Sequence, residues 1–431
     1  MRVLLTGANG FVGGWLLAGL RARGHVVVAA VRDREKLRRQ VPGIEAIVCD
    51  FNRDTDARVW LPRLAGVDAV VNCAGVLHGG RGQDIDAIHA VAPIALFEAC
   101  VAAGLRKVVQ ISAISADAEA GTPYALSKKR ADDHLRGLDL DWTVLRPSLV
   151  YGDGSYGGMS AMRGLAGAPL AIPVPGDGAA AFRPIHVEDL VETVARVLDR
   201  GGFARRTLEP VGPRRLALRD ILGRLRGWLG LPPARFLPVP LPVMRVVARI
   251  VDVFGGGPMG SASLKQLLVG NAGREPDGAF AAAIGFAPRA MEDAFAARPA
   301  STQDLWHARL YPLRPVLRAG LALLWILSGV LGWLAPADSW RDLAAALATI
   351  GLPAAPLAAA FCLADVALGA LILCRFRPSP VALAQIAVVV GYTVVLSAFM
   401  PGLWLHPFGP LLKNLPILAA IAVWWALEQE R

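Results

Sequence analysis

The chain has 431 residues, 54% of them hydrophobic, a formal net charge of +10 and a mean hydropathy of +0.45. That length exceeds one ordinary domain, and that hydropathy excludes a wholly soluble protein. From Pro315 onward there are six Lys or Arg against five Asp or Glu, so +9 of the charge lies on the preceding part. The expected organisation is a domain over residues 1–300, a linker over 301–314 and a membrane domain over 315–431. The basic residues are not interleaved with aromatics and no nucleic-acid module is visible, which excludes nucleic acid as a partner. The basic surplus reads either as attraction to anionic lipid and cofactor phosphates or as an Arg-rich solvated surface. Five cysteines, Cys49, Cys73, Cys100, Cys362 and Cys374, lack any C-x-x-C or Cys/His spacing. They argue against a disulfide framework and a metal site, and for a reducing, cytosolic setting.

The N-terminal stretch "LLTGANGFVGGWLLAGL" places Gly7, Gly10 and Gly13 between a short apolar strand, Val3 to Leu5, and an apolar helix from Phe11. Glycines at a strand-to-helix turn let the backbone approach a pyrophosphate, and the free N–H groups of the first helical turn face the anion. "GHVVVAAVRD" then gives a strand from His25 to Val31, followed by a charged helix over Arg34 to Gln40. "GIEAIVCDF" and "VDAVVNCAG" give the third and fourth strands, a helix runs from Ile85 to Ala103, and "KVVQISAIS" is the fifth strand. This alternation predicts an α/β fold, a doubly wound parallel sheet with ligands at the carboxyl ends of its strands. Arg32, after the second strand, can clamp a 2′-phosphate, which favours NADP; Asp33 beside it keeps NAD open. Asp50, past the third strand, stands where an adenine edge would lie, or makes an N-cap or turn.

In "TPYALSKKRADDHL", Tyr124 and Lys128 are four apart at the start of a helix and share one face. A tyrosine exchanging a proton near neutrality needs its pKa of about 10 lowered, and an adjacent ammonium favours the phenolate. Lys128 supplies that charge and can hold the nicotinamide ribose.

The segments "TGANGFVG", "NCAG", "YALSK", "LRPSLVYGDG" and "FRPIHVEDLVE" resemble the short-chain dehydrogenase/reductase superfamily in its extended or atypical, epimerase/dehydratase-like branch, over roughly residues 1–290. The resemblance implies a cofactor loop at Thr6, Gly7, Asn9, Gly10, Phe11, Val12 and Gly13. It implies cofactor contacts from Asn72, Ala74, Gly75 and Pro147, an acid/base at Tyr124 and a ribose-binding Lys128. Arg146 and Ser148 flank Pro147 beside the nicotinamide. The family's carbonyl-polarising hydroxyl falls to Ser112 or Ser115, and one alignment places an apolar residue there. His186 and Asp189 read as a helix cap more than as catalytic groups.

Beyond residue 200, "LALRDILGRLRGWLG" and "LPVMRVVARIVDVFG" are amphipathic. They read as helices closing the substrate side, with membrane-surface attachment of the second as the alternative. Pro- and Gly-rich loops, among them "FGGGPMGS", separate them. Four apolar segments have or approach spanning length: Leu317 to Leu334, Leu352 to Cys374, Val381 to Met400 and, more weakly, Leu411 to Leu427. Arg309, Arg314, Arg318, Arg375 and Arg377 lie on one side of these segments, which predicts a cytoplasmic nucleotide domain in the cell membrane. Asp365 lies inside the second segment and demands a partner, a proton or a polar cavity. "PGLWLHPFGPLLKNLP" concentrates His406, Lys413 and Asn414 near a membrane face. Over residues 312–428 the sequence resembles the four-helix DoxX-like membrane proteins, which implies architecture and no catalytic residue.

The expected function is a membrane-anchored NAD(P)-dependent oxidoreductase or epimerase/dehydratase-like enzyme acting on a small, lipophilic substrate. The alternative is a non-catalytic nucleotide-binding sensor or assembly scaffold at the membrane.

Overall fold

Short apolar strands alternating with helices build the N-terminal part of the computed structural model, which describes residues 1–77, 79, 82–119, 121–253, 260–349, 351 and 353–429. Six strands, β1 (Arg2–Thr6), β2 (Val26–Val31), β3 (Glu45–Val48), β4 (Ala69–Asn72), β5 (Lys107–Ile111) and β6 (Asp141–Leu145), join the edge strand Arg206–Leu208 in one parallel sheet. The order is Arg206–Leu208, β6, β5, β4, β1, β2, β3. The direction of winding therefore reverses between β1 and β4, and the crevice outside their carboxyl ends is where such sheets bind ligands. Alternate residues feed two cores. Val3, Leu5, Val27, Ala29 and Val71 face one, and Leu4, Val28, Ala30 and Val70 face the other. This double burial explains why the strands read as unbroken apolar runs.

Among the described residues of this part, twelve α-helices follow in chain order: α1 (Phe11–Ala22), α2 (Arg34–Gln40), α3 (Ala57–Trp60), α4 (Ala92–Ala102), α5 (Pro123–Arg136), α6 (Gly158–Ala166), α7 (Val187–Asp199), α8 (Leu218–Trp228), α9 (Leu241–Val253), α10 (Ser261–Val269), α11 (Ala279–Ile284) and α12 (Met291–Ala297). Helices α1 and α7 cover one face through Leu16, Leu20, Leu190 and Val194, and α4 and α5 cover the other through Leu96, Phe97, Ala131 and Leu135. Each of these fully buried leucines contributes roughly 1.5–3 kcal/mol. A third core joins α6, α8 and the strand Ala171–Pro175 through Met159, Met162, Ile172, Leu218 and Leu222.

Three boundaries differ from expectation. The fifth strand stops at Ile111 rather than running on to Ser115. Its pairing with β6 ends at Ile111 and Leu145, and beyond it Ile114 N–H reaches the carbonyl of Pro147, a residue with no N–H to return. The helix expected from Ile85 holds a π-helical turn, Ala87–Val91, before α4. Pro93 has no N–H to give the His89 carbonyl, so the hydrogen-bond ladder changes register there. The expected linker is mostly helical, because the helix Thr302–Leu334 begins within it. Ser301 and Asp304 form a reciprocal cap at its start, with Ser301 N–H to Asp304 at 2.9 Å and Asp304 N–H to Ser301 Oγ at 3.3 Å. Residues 254–259 of the "FGGGPMGS" loop and Leu352, where a span was expected to begin, lie outside the described residues.

Met1–Ala308 and Arg309–Arg431 form two compact units. Among the described residues, three helices are long and apolar enough to cross a membrane: Thr302–Leu334, Ala354–Leu373 and Pro378–Phe399. The fourth apolar helix, Asn414–Glu428, has 15 residues. It rises about 22 Å, short of a hydrocarbon core about 30 Å thick. Within the second unit, Asp365 accepts a hydrogen bond from Tyr392 Oη at 3.1 Å, and Trp325 Nε1 donates to Gln385 at 2.9 Å. Asn414 donates to Thr393 Oγ1 at 2.8 Å. The buried Glu428 carboxylate is ion-paired by Arg314 and Arg318.

Candidate active site

The Gly7–Gly13 turn crosses the carboxyl end of β1 beside β4. Gly7 has φ +67°, and a Cβ there would stand 2.8 Å from the Cys73 carbonyl; at Gly13 it would stand 2.0 Å from the Gly7 carbonyl. Both positions therefore require glycine for the fold of the turn itself. Gly10 differs, since a Cβ there would meet only the Gly7 carbonyl at 3.2 Å and the Tyr156 hydroxyl at 3.5 Å. The next residue, Phe11, opens α1 and directs its N–H at that same hydroxyl, at 3.4 Å. This free helix start, roofed by one phenol, fits the pyrophosphate of a dinucleotide. Asn9 is exposed, and Phe11 and Val12 are half-buried along this rim.

A buried hydrogen-bonded row fixes the strand ends. Thr6 Oγ1 donates to Asn72 Oδ1 at 2.5 Å, and Asn72 Nδ2 donates to Gln110 at 2.7 Å. Thr6 Oγ1 also accepts from the N–H groups of Cys73 and Ala74, at 3.1 and 3.3 Å. The side chains of Thr6 and Asn72 are thus committed to holding β1, β4 and β5 in line, while Ala74 and Gly75 carry the backbone past the turn.

Tyr124 and Lys128 lie on one face of α5, whose start is fixed by the Thr122 side chain accepting from Ala125 N–H at 3.2 Å. Lys128 Nζ is buried, donates to the Ile111 carbonyl at 3.0 Å and sits 5.7 Å from the centre of the Tyr124 ring. A Cβ on Gly75 would stand 3.5 Å from that ammonium, in ordinary contact with it, so Gly75 borders the lysine. Burial lowers the Lys128 pKa. Burial, and then the charge of Asp132, raise that of Tyr124. Desolvation and a carboxylate on the same helix both favour the protonated phenol, opposite to the expected lowering by the ammonium.

Ser112 donates to Asp132 at 2.8 Å, and Arg146 closes on the same carboxylate through Nε at 3.0 Å and Nη2 at 2.8 Å. Ser112 is therefore turned into this buried group, whereas Ser115 is half-buried and its hydroxyl bonds to no described residue. Pro147 is buried beside them and accepts from Ile114 N–H. Arg32 is exposed and makes no ion pair with a described residue, while the Asp33 carboxylate caps α2 by accepting from Lys36 N–H at 2.8 Å. Asp50 accepts from the backbone and side chain of Asn52 at 3.1 and 2.9 Å and so closes a turn. His186 caps α7 through Glu188 N–H at 3.3 Å, and Asp189 is braced by Arg289.

Two residues of the candidate site escaped the sequence reading. His89, fully buried, packs edge-to-face on Tyr124 with ring centres 5.2 Å apart. Its Nε2 accepts from Val76 N–H at 2.9 Å, which places the ring proton on Nδ1, 3.1 Å from Ser127 Oγ. Ser127 in turn donates to the Tyr124 carbonyl. Burial, and then the Lys128 charge, push His89 down to about 2. Asp132 is the other, and its signal was present in the i, i+4, i+8 spacing of Tyr124, Lys128 and Asp132 along one helix face.

Residues 7–165 match the NAD(P)H-binding family, and residues 322–422 match the DoxX-like family. The chain is 30% identical over 269 residues to the 3-diazoavenalumate denitrifying reductase of a Streptomyces species, covering 56% of this chain and 86% of that protein. The chain belongs to the short-chain dehydrogenase/reductase superfamily. Another relative is the ceramide reductase of Caulobacter vibrioides, 28% identical over 197 residues, 43% of this chain and 57% of that protein. The fold of this short-chain dehydrogenase/reductase matches the dTDP-glucose 4,6-dehydratase DesIV of Streptomyces venezuelae, solved with NAD and TYD. The TM-score is 0.54 at 21% identity, covering 72% of this chain and 97% of that one. The N-terminal unit is thus an NAD(P)-dependent reductase/epimerase-like domain, carried on a chain whose second region is DoxX-like.

Proposed function

We propose that this protein is a membrane-anchored, NADP-preferring reductase of a lipophilic carbonyl substrate. The observation that carries this reading is that Tyr124, the buried Lys128 and the open Gly10 turn all lie at the carboxyl ends of the central strands. The cofactor, when bound, supplies the hydride. Gly7, Gly10 and the Phe11 N–H hold its pyrophosphate, Arg32 its 2′-phosphate and Lys128 its ribose. Tyr124 holds a proton at Oη through the neutral range, which suits a donor to a developing alkoxide and hence the reducing direction. His89 and Ser127 fix the backbone and ring of Tyr124, and Lys128 compensates the charge left when the proton departs. A membrane-held chain with a relative named ceramide reductase supports a lipophilic substrate.

The basic groups Arg314, Arg318 and Arg375 converge on Glu428 at one end of the helical unit. With Arg309 and Arg377, they support the reading that this end and the nucleotide domain are cytoplasmic, in the cell membrane. The Asn414–Glu428 helix serves as a fourth, short crossing in this reading. A second reading, a nucleotide-binding sensor or scaffold without turnover, is favoured by one observation: Ser112 is taken up by Asp132. Cofactor binding and slow turnover of the purified chain against a panel of carbonyl and quinone acceptors separate the two. Binding without turnover on any acceptor rejects the reductase.

A further inference from the structure

Helix α9 presents an apolar stripe that no described residue covers. Val243, Val246, Val247 and Ile250 recur at i, i+3, i+4 and i+7 and are 50%, 56%, 45% and 53% exposed. At 100° per residue they span one continuous face about 100° wide. Ala248, on the opposite side of the helix, is buried against the domain. Arg249 flanks the stripe about 60° beyond Val246, whereas Arg245 lies on the far side of the helix near Ala248; neither makes an ion pair with a described residue. The carboxylate of α9, Asp252, is spent on the Ser261 N–H at the start of α10. The exposed face is therefore apolar with one cation, Arg249, at its margin, the composition of a helix that lies in a lipid headgroup region.

Two further observations choose the bilayer over another protein surface. The same chain carries three helices of spanning length, so a bilayer is held at high effective concentration by covalent attachment. Arg249 at the margin also complements anionic headgroups. Position in the domain gives the docking a use. Helix α9 packs on α10, and α10 holds the start of the Tyr124 helix through Lys265 Nζ to the Gly121 carbonyl at 3.0 Å and Gln266 to Thr122 Oγ1 at 3.4 Å.

We infer that α9 is an interfacial helix whose Val243–Ile250 stripe lies in the anionic surface of the bilayer that anchors the chain. Docking there brings the entrance of the Tyr124 site to the lipid, so a lipophilic substrate enters without crossing water. The substrate clause rests on the reductase reading; the docking does not.

The test uses the full-length chain in phosphatidylglycerol nanodiscs, with the exposed Cys374 replaced by Ser and an environment-sensitive fluorophore on Ile250→Cys, or independently on Val246→Cys. Cys73 stays unlabelled, since burial pushes its thiol up to about 12. Both labels are expected to be quenched by lipids carrying a nitroxide high on the acyl chain, whereas a label on the exposed Arg39→Cys is not. Adding Arg249→Glu lowers the docking equilibrium on phosphatidylglycerol by about tenfold or more. Labels at 246 and 250 that are quenched no more than the label at 39 overturn the inference. So does a blue-shifted label that lipid nitroxides fail to quench, because a protein surface, of this chain or a second copy, then covers the stripe. The readout contains no turnover, so it fails or succeeds independently of the reductase reading.

Discussion

Ser112 Oγ donates a 2.8 Å hydrogen bond to Asp132, a carboxylate with no exposed surface whose other partner is Arg146. A serine held this way stabilises a buried charge and is not available to polarise a carbonyl. The two serines after β5 therefore separate by experiment. Ser112→Ala is expected to destabilise the chain by about 1–3 kcal/mol, because it leaves a buried carboxylate short of a donor. Ser115→Ala is expected to leave stability unchanged and to lower kcat about 10²-fold, the worth of one donor to a developing oxyanion. Thermal unfolding and steady-state kinetics on the same two preparations check both, and the reverse pattern assigns Ser112 to the reaction.

The three glycines of the turn predict three different outcomes. Gly13→Val forces a side chain onto the Gly7 carbonyl, 2.0 Å from where its Cβ would be, so the turn cannot form as it stands. The expected result is a misfolded nucleotide domain. Gly10→Val meets only the Gly7 carbonyl at 3.2 Å and a movable phenol, so it is expected to fold and insert normally while losing dinucleotide binding. Equilibrium binding of NADPH, with secondary structure followed by circular dichroism, distinguishes the two. Retained binding by Gly10→Val makes the glycines purely structural.

What the sequence made legible, and what it hid, follows from the range of the forces involved. The sheet was readable because each strand is buried on both faces, so runs such as "VVVAAV" mark strands without reference to their neighbours. Helix α2 was readable end to end because its cap, Asp33, is local. The carboxyl end of β5 was not, since it depends on Pro147 in the segment that follows β6. His89 stands in an apolar helix and differs from a core residue only through Val76, Tyr124 and Ser127, none of them its sequence neighbours. The direction of the Tyr124 shift was misread for a related reason: the spacing exposed the ammonium, but the burial that raises the pKa is a property of the assembled domain.

The proposed preference for NADP points to Arg32, which is exposed and makes no ion pair with a described residue, beside an Asp33 whose carboxylate is occupied as a helix cap. Arg32→Ala is expected to weaken NADPH by about 1–3 kcal/mol and to leave NADH nearly unchanged, because only the phosphate contact is lost. Isothermal titration with the two cofactors measures this directly. Equal losses for both remove the NADP assignment.

His89 carries a pH signature. Its folded pKa is pushed down to about 2 by burial and by Lys128, whereas in the unfolded chain a histidine titrates near 6.5. Between these values the unfolded state binds one more proton than the native state, so stability falls as pH falls through that window. The slope from this group approaches about 1.4 kcal/mol per pH unit. His89→Gln keeps an acceptor for Val76 and a donor for Ser127 without the titration, so its stability is expected to fall less steeply with acid. Denaturant unfolding of the full chain in detergent at several pH values reads the difference. Parallel acid limbs in parent and variant reject the neutral, buried assignment.

Tyr124 and Lys128 decide between enzyme and binding module, because they do different things at one site. Tyr124→Phe removes only the hydroxyl, so NADPH binding is expected to persist while reduction slows by a factor of about 10² to 10⁴. Lys128→Ala removes the group that holds the ribose and compensates the departing proton, and it is expected to damage binding and turnover together. Because burial and Asp132 raise the Tyr124 pKa, the phenol stays protonated across the neutral range. The rate of the reduction is therefore expected to be insensitive to Tyr124 ionisation there and to decline only in strong alkali. A scaffold needs neither the proton nor the rate. Complementation of a deletion strain with Tyr124→Phe, with NADPH affinity checked in parallel, is the deciding measurement: loss of function with intact binding identifies an enzyme, and full rescue with intact binding identifies a sensor or scaffold.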